Sequence, residues 1–237
     1  MYAILEKIHH KILFLLGFGN PNINTNGEKK ALQYVAQRFK NQTVIVFDVG
    51  AYIGDYRKAV IENISHCEVY SFEPQKKLYE ELTKHFNNCF NIGFSDKKET
   101  VPIYGNKNKG GLTSLYNRKL GHFDLSLSEQ EQVNLTTIDD FCKEHNIQRI
   151  HLLKLDVEGH ELKVLKGAEK MFPYIDCIQF EFGGCDIDSR TFFQDFWYLL
   201  NKKYSIYRVT RWGLQEIKKY KETDEIFMTS NYLAVKK

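Results

Sequence analysis

Residues Val44 to Val49 read Val-Ile-Val-Phe-Asp-Val and end at Gly50. A run this apolar, without polar alternation, suits a strand buried on both faces. Such a strand needs helices above and below it, and the chain supplies them in alternation. Tyr56, Ala59, Val60 and Ile64 fit one helix face, and Leu78, Leu82 and Phe86 fit another. Residues 68–72 and 90–94 read as the second and third strands. Residues 138–145 form a helix, followed by a fourth strand at Ile150–Leu155. Leu162, Leu165, Ala168 and Phe172 line a helix that Pro173 helps to stop, before a fifth strand at Ile175–Phe182. Phe192, Phe193, Phe196, Trp197 and Leu200 make an aromatic helix face, and residues 204–209 and 232–235 close the sheet. The expectation is an α/β fold with a doubly wound, Rossmann-like sheet, mostly parallel with an antiparallel closing strand. Residues 100–104 predict an extra strand paired with 132–135, with a long polar loop over 105–130 between them.

The chain has 237 residues, 43% of them hydrophobic, enough for one substantial core. Its net charge of +3 is spread among mixed acids and bases, which excludes a strongly basic nucleic-acid binder. A mildly basic face remains compatible with a phosphorylated or nucleotide-linked ligand. Five cysteines without C-x-x-C spacing predict reduced, buried thiols in a cytoplasmic protein.

Residues 12–19 are apolar but too short to span a bilayer, and no small-residue cleavage site follows them. Ile4, Ile8, Ile12 and Leu15 recur at helical spacing. They predict an amphipathic helix packed on the body, with a membrane-surface or homodimer contact as the sharper alternative. Residues 20–27 form a loop. Thr25 and Glu28 have capping-box spacing before a helix whose face is Ala31, Leu32, Val35 and Phe39. The organisation expected is an N-terminal helical extension over 1–40 and one domain over 41–237.

Chemistry gathers at the strand ends. Asp48-Val49-Gly50-Ala51-Tyr52-Ile53-Gly54 follows a strand and opens a helix. Glycines let backbone approach a ligand, and the helix start offers N–H groups to a carboxylate, such as that of a methionine moiety. Asp48 suits the matching ammonium. Glu73, at the end of the second strand, stands where an acid accepts from ribose hydroxyls, and Pro74 starts the next helix. Ser95 and Asp96 follow the third strand, where an adenine would lie. Lys154-Leu155-Asp156-Val157-Glu158-Gly159-His160-Glu161 joins the fourth strand to a helix and places five ionisable groups beyond Lys154 or at it.

These segments resemble the FkbM family of S-adenosylmethionine (SAM)-dependent methyltransferases. The resemblance covers roughly residues 44 to 235 and includes Phe72-Glu73-Pro74, Gly93-Phe94-Ser95-Asp96-Lys97, Leu135-Thr136-Thr137-Ile138-Asp139, Leu165-Lys166-Gly167-Ala168 and Asn231-Tyr232-Leu233. It implies a class I methyltransferase fold, SAM as cofactor, and O-methylation of a sugar, glycan or related small molecule. Tyr52 departs from the family's usual Asn.

On this reading Asp48, Gly50, Tyr52, Gly54, Glu73, Ser95, Asp96 and Asp156 bind the cofactor. His160 and Asp156 are candidates for the base that a hydroxyl nucleophile needs, with Lys154 steering the substrate or pairing with Asp156. Glu158, Glu161, Glu181 and Ser114 are candidate acceptor contacts. No metal is predicted, although Asp156, His160 and Glu181 form a conceivable divalent set. Lys107, Lys109, Arg118, Lys119 and His122 make the 105–130 loop a candidate cover for the substrate. An NAD-dependent oxidoreductase and a non-catalytic partner protein on the same fold are the alternatives.

Overall fold

The computed structural model describes residues 2–106 and 109–237, with side chains at 109–112 outside the described set. In chain order the elements are α1 (Tyr2–Leu15), α2 (Glu28–Arg38), β1 (Val44–Val49), α3 (Asp55–Asn63), β2 (Cys67–Phe72), α4 (Lys76–Thr83), β3 (Cys89–Phe90), β4 (Gly93–Phe94), β5 (Glu99–Asn106), β6 (Lys109–Ser114), β7 (Ser128–Thr136), α5 (Ile138–Glu144), β8 (Ile150–Leu155), α6 (Glu161–Lys166), β9 (Ile175–Phe182), α7 (Gly184–Ser189), α8 (Phe193–Leu200), β10 (Tyr204–Thr210), β11 (Gly213–Ile217) and β12 (Ser230–Lys236).

Among the described residues the main sheet has the order β11-β10-β12-β9-β8-β1-β2-β3. The strands from β3 through β9 run parallel, and β12 closes on β9 antiparallel. This is the doubly wound, mostly parallel sheet expected from the sequence. Alternate side chains of each strand serve opposite faces. Phe47, Val49, Leu153 and Phe180 pack with α5, α6 and α8, whereas Val44, Val46, Leu152 and Leu233 pack with α2 and α3.

Register places the chemistry. Val49 pairs with both Phe72 and Leu155, and Leu155 pairs with Phe180. The next residues, Gly50, Glu73, Asp156 and Glu181, therefore emerge side by side along the carboxyl edge of the sheet. Antiparallel β12 adds Asn231 opposite Glu181.

Several expectations need correction. The strand expected at 90–94 is two short strands in different sheets. β3 joins β2, and β4 pairs with β7 through Gly93 and Leu135. Between them Asn91 donates to the carbonyls of Glu73 at 3.0 Å and Pro74 at 2.9 Å, which draws the chain off the first sheet. The 100–104 strand pairs with β7 as expected, but part of the 105–130 loop is β6, folded back on β5. Lys107 lies outside the described residues, as does the side chain of Lys109.

Thr25 does not cap α2. Gly27 is the N-cap, at φ 103°, and a Cβ there would lie 2.3 Å from the Thr210 carbonyl oxygen. Asn26 does the polar work, accepting from Glu28 N–H at 2.9 Å and donating to its carboxylate at 2.8 Å. Helix α1 has no buried residue; its last turns border a hollow with Met228, but Ile4, Ile8 and Ile12 stay exposed and do not pack on the body as expected. Chain burial begins just beyond it, at Gly17 and Phe18. All five cysteines are free thiols. Among the described residues, no helix is long and apolar enough to cross a membrane.

Candidate functional site

The β1–α3 turn comes first because its backbone leaves least choice. Gly50 has φ +84°, and a Cβ on it would stand 1.8 Å from the Asp156 carbonyl oxygen. The turn therefore runs directly against the end of β8, where Asp156 N–H donates to the Val49 carbonyl at 3.0 Å. Gly54, at φ +88°, caps α3 with its backbone against Phe86 and Leu82. Tyr52 also takes a positive φ, 49°, in the same turn. Its N–H donates to Glu73 at 3.0 Å, while Gln75 N–H donates to the other carboxylate oxygen at 2.9 Å. Burial nonetheless pushes the Glu73 carboxyl up to about 7, outweighing those two bonds.

Asp48 is buried beneath this turn. Its Oδ2 has no hydrogen-bond partner. Burial raises its pKa to about 7, with Lys154 opposing the rise. Ser95 and Asp96 follow β4 as expected, with Ser95 donating to Asp96 at 3.1 Å. Ser95 is buried and Asp96 exposed.

The end of β8 opens the other half of the site. Lys154 is almost fully buried and donates to Asp156 at 3.0 Å, with Glu28 at 3.8 Å and the Tyr56 ring 5.3 Å away. Burial works against the ammonium, but Asp156, Glu28 and Glu181 outweigh it and hold its pKa above the ordinary range. Glu28 belongs to α2, in the N-terminal segment that no motif covers. Gln179 joins the network, donating to Glu28 at 2.8 Å and Asn231 at 3.3 Å, and accepting from the Tyr56 hydroxyl at 2.9 Å. Sequence inspection missed Glu28, Gln179 and Tyr56. The one available signal was that Gln179 interrupts the apolar β9.

The remaining charges of the β8–α6 loop divide by role. Glu161 accepts from Val157 N–H at 2.8 Å and Gly159 N–H at 3.0 Å, so it holds the loop. It is fully buried, which separates it from the acceptor contact expected of it. Glu158, at φ 53°, pairs with Arg118 at 2.6 Å, and Arg118 also lies 3.7 Å from Asp188. Burial and the Asp156 charge raise Glu158 to about 7. Ser114 donates to the Glu158 carbonyl at 2.8 Å and accepts from Tyr116 N–H at 3.1 Å, which stitches β6 to this loop. Of the expected cationic cover, Arg118 thus reaches the site already paired.

His160 is buried, and both ring nitrogens are occupied. Nε2 lies 3.0 Å from the Ser95 hydroxyl, and Nδ1 lies 3.0 Å from the Tyr116 hydroxyl. Burial, reinforced by Lys163, lowers its pKa to about 4. Glu181 is driven well above the usual carboxylate range by burial, then by Asp156 and Glu158. Among the described residues no three His, Cys, Asp or Glu side chains gather as metal ligands, so the structure does not assemble Asp156, His160 and Glu181 into the set considered from sequence.

A cavity of about 1120 Å³ runs along this edge of the sheet. Gly50, Tyr52 and Glu73 line one end, and Asp156, Glu158 and Glu181 line the middle. Asn20, Asn22, Asn26 and Glu28 form a wall contributed by the N-terminal segment, with His160 and Ser114 also at the surface of the cavity. Asp48, Lys154 and Glu161 support this lining from behind.

A family model described as the methyltransferase FkbM domain matches residues 48–205. The hexuronic acid methyltransferase AglP of Haloferax volcanii is 26% identical over 147 residues, which cover 60% of this chain. The chain spans 56% of that relative's length. The fold is similar to that of the plantazolicin methyltransferase BamL, solved with a triazolic desmethylPZN analog and SAH, at a TM-score of 0.50 and 9% identity over 91% of this chain and 85% of that one. The plantazolicin methyltransferase BpumL, solved with SAH, aligns at a TM-score of 0.47 and 12% identity, over 92% of this chain and 87% of that one.

Proposed function

The chain belongs to the FkbM methyltransferase family, and from that premise we propose that it transfers a methyl group from SAM to a hydroxyl of a sugar, glycan or related small molecule. The observation that carries the cofactor assignment is the side-by-side emergence of Gly50 and Glu73 from β1 and β2. Glu73 retains acceptor capacity for two ribose hydroxyls beyond its two backbone bonds. The Gly50 turn has no room for a Cβ, and the α3 start supplies N–H groups for a carboxylate. The orphaned Oδ2 of Asp48 fits the ammonium of the same ligand, directly or through water. These residues suit SAM. Family membership favours it over the nicotinamide alternative.

The acceptor assignment rests on the middle of the cavity. Asp156, Glu158 and Glu181 offer acceptors to a ligand rich in O–H donors, and asparagines supply both donors and acceptors. The match to a hexuronic acid methyltransferase supports the same class. SAM, when bound, supplies an electrophilic methyl on a sulfonium. The protein's part is to align the hydroxyl and receive its proton. Lys154 fixes Asp156 at 3.0 Å, and Asp156 orients the hydroxyl. Glu181, whose carboxyl is held well above the usual carboxylate range by burial and then by the Asp156 and Glu158 charges, receives the proton when it is ionised. His160, with both nitrogens engaged, holds the loop rather than acting as the base.

The test is calorimetric titration with S-adenosylhomocysteine (SAH) and NAD, followed by labelled-methyl transfer from SAM to a panel of hexuronic acid, neutral sugar and amino sugar glycosides. Saturable SAH binding and label on a sugar oxygen support the assignment. Binding of NAD alone to folded protein would overturn the cofactor reading, and SAH binding with label on nitrogen acceptors only would overturn the acceptor reading.

A further inference from the structure

We propose that α1 is a docking helix for an anionic membrane surface, an interaction that stands apart from the transfer reaction. Leu5, Ile8, Ile12 and Leu15 follow a 3-4-3 spacing down one side of the helix, with Ile4 beside them. All five are between 48% and 64% exposed. A contiguous apolar stripe left in water marks an interaction surface. Lys7 and Lys11, four apart, run alongside it, and the helix contains a single acid, Glu6.

The body of the protein anchors this helix at its C-terminal end. Phe18 is buried just beyond it, Gly19 N–H donates to the Thr229 carbonyl at 2.6 Å, and Arg211 N–H donates to the Leu16 carbonyl at 3.4 Å. That last bond brings the β10–β11 turn to the helix end, and the turn carries Trp212, 67% exposed. Apolar side chains, lysines and an exposed tryptophan together suit the boundary between lipid headgroups and acyl chains.

A second copy of the chain is the less favoured occupant. The seam is shorter than two heptads, well below the roughly three to four that a stable coiled coil needs. A symmetric pair would also bring Lys7 and Lys11 towards their own copies, whereas phosphate-bearing lipids neutralise them. Gly17 and Gly19, directly after α1, line the catalytic cavity, so docking through α1 would hold that cavity near the lipid surface.

The experiment is co-sedimentation of the full chain with phosphatidylcholine vesicles, with and without phosphatidylglycerol, alongside light scattering for mass. Binding to the phosphatidylglycerol vesicles is expected, weakening as salt rises. Ile8→Glu/Ile12→Glu and Lys7→Glu/Lys11→Glu should each lose at least about tenfold in binding. All four positions are exposed, and circular dichroism is the check that the variants fold. Absence of wild-type binding, or equal binding by both variants, overturns the proposal. A dimer that disappears in Ile8→Glu/Ile12→Glu, without vesicle binding, assigns the helix to self-association instead.

Discussion

The two halves of the cavity are assembled by different means. The half around Gly50 and Glu73 is local: the backbone of the Gly50 turn and its hydrogen bond to Glu73 fix each residue's place. The half around Asp156 and Glu181 depends on groups brought from far along the chain, with Glu28 of the cavity wall meeting Lys154 and Gln179. The first half is held by sterics and backbone hydrogen bonds. The second is a buried electrostatic balance, in which Lys154 is the cation shared by Asp156 and Glu28. One steric rule can be read at one position, but a balance depends on every partner.

The largest test of this contrast removes that shared cation. Lys154→Met keeps the length of the side chain and abandons two carboxylates. Breaking a buried charge network in this way costs about 3–5 kcal/mol, towards the lower end here because Asp156 is partly open to solvent. Urea unfolding at constant slope would measure the loss, and Lys154→Met/Glu28→Gln should recover part of it. A loss below about 1 kcal/mol would mean that the network does not hold the second half together.

The next effect belongs to the first half. Glu73→Ala removes the proposed ribose acceptor and also releases the N–H groups of Tyr52 and Gln75. Hydrogen bonds to a charged group contribute about 1.5–3 kcal/mol, so SAH affinity should fall by about a hundredfold. Unchanged affinity in a folded variant would remove Glu73 from the cofactor site.

The same carboxylate gives a pH test. In the folded, ligand-free protein Glu73 titrates near 7, above its ordinary 4.5. Only its ionised form accepts from both ribose hydroxyls. Affinity should therefore be full above pH 7 and fall by up to about tenfold per unit below it. The sign for folding is opposite. A raised carboxyl pKa means that the folded state holds its proton longer, so Glu73 costs stability as pH rises from 4.5 to about 7. Affinity that is flat from pH 5 to 8 would exclude Glu73 as the acceptor.

The same division governs what the sequence makes legible. The central strands at Val44–Val49, Ile150–Leu155 and Ile175–Phe182 coincide with their apolar runs, because a strand buried on both faces leaves a continuous signal. The places of Gly50 and Glu73 at the strand ends were legible because each directly follows such a run. Glu161 and His160 were placed in the correct loop, but their partners were not legible. A fully buried Glu bonded to backbone and an exposed Glu facing a ligand look alike in one dimension. Glu28 was hidden for another reason. Its spacing from Thr25 matches a capping box, while its carboxylate lies beside Lys154, more than a hundred residues away in the chain. The division of residues 90–94 between two sheets was likewise set by a side chain, Asn91, rather than by hydrophobic pattern.

Glu28→Gln has the smallest expected effect and separates the halves most directly. The neutral amide keeps the shape and retains an oxygen for the bond donated by Gln179 at 2.8 Å. It removes one of the carboxylates beside Lys154 without abandoning the ammonium, since Asp156 remains at 3.0 Å. Folding should change by no more than about 1–2 kcal/mol. If the halves are independent, SAH affinity stays within about twofold, because the hydrogen bonds and ion pair of Glu28 among the described residues go to Asn26, Gln179 and Lys154 and not to the Gly50 turn or Glu73. The acceptor side should respond instead. With Glu28 neutral, Lys154 is drawn more fully to Asp156, and the charge around Glu181 changes. The expected signature is a slower transfer step with a shifted pH profile and little change in SAM saturation, measured as kcat and KM for each substrate. A matching loss of SAH affinity would show that the buried charges support the whole cavity, and the two halves would have to be treated as one unit.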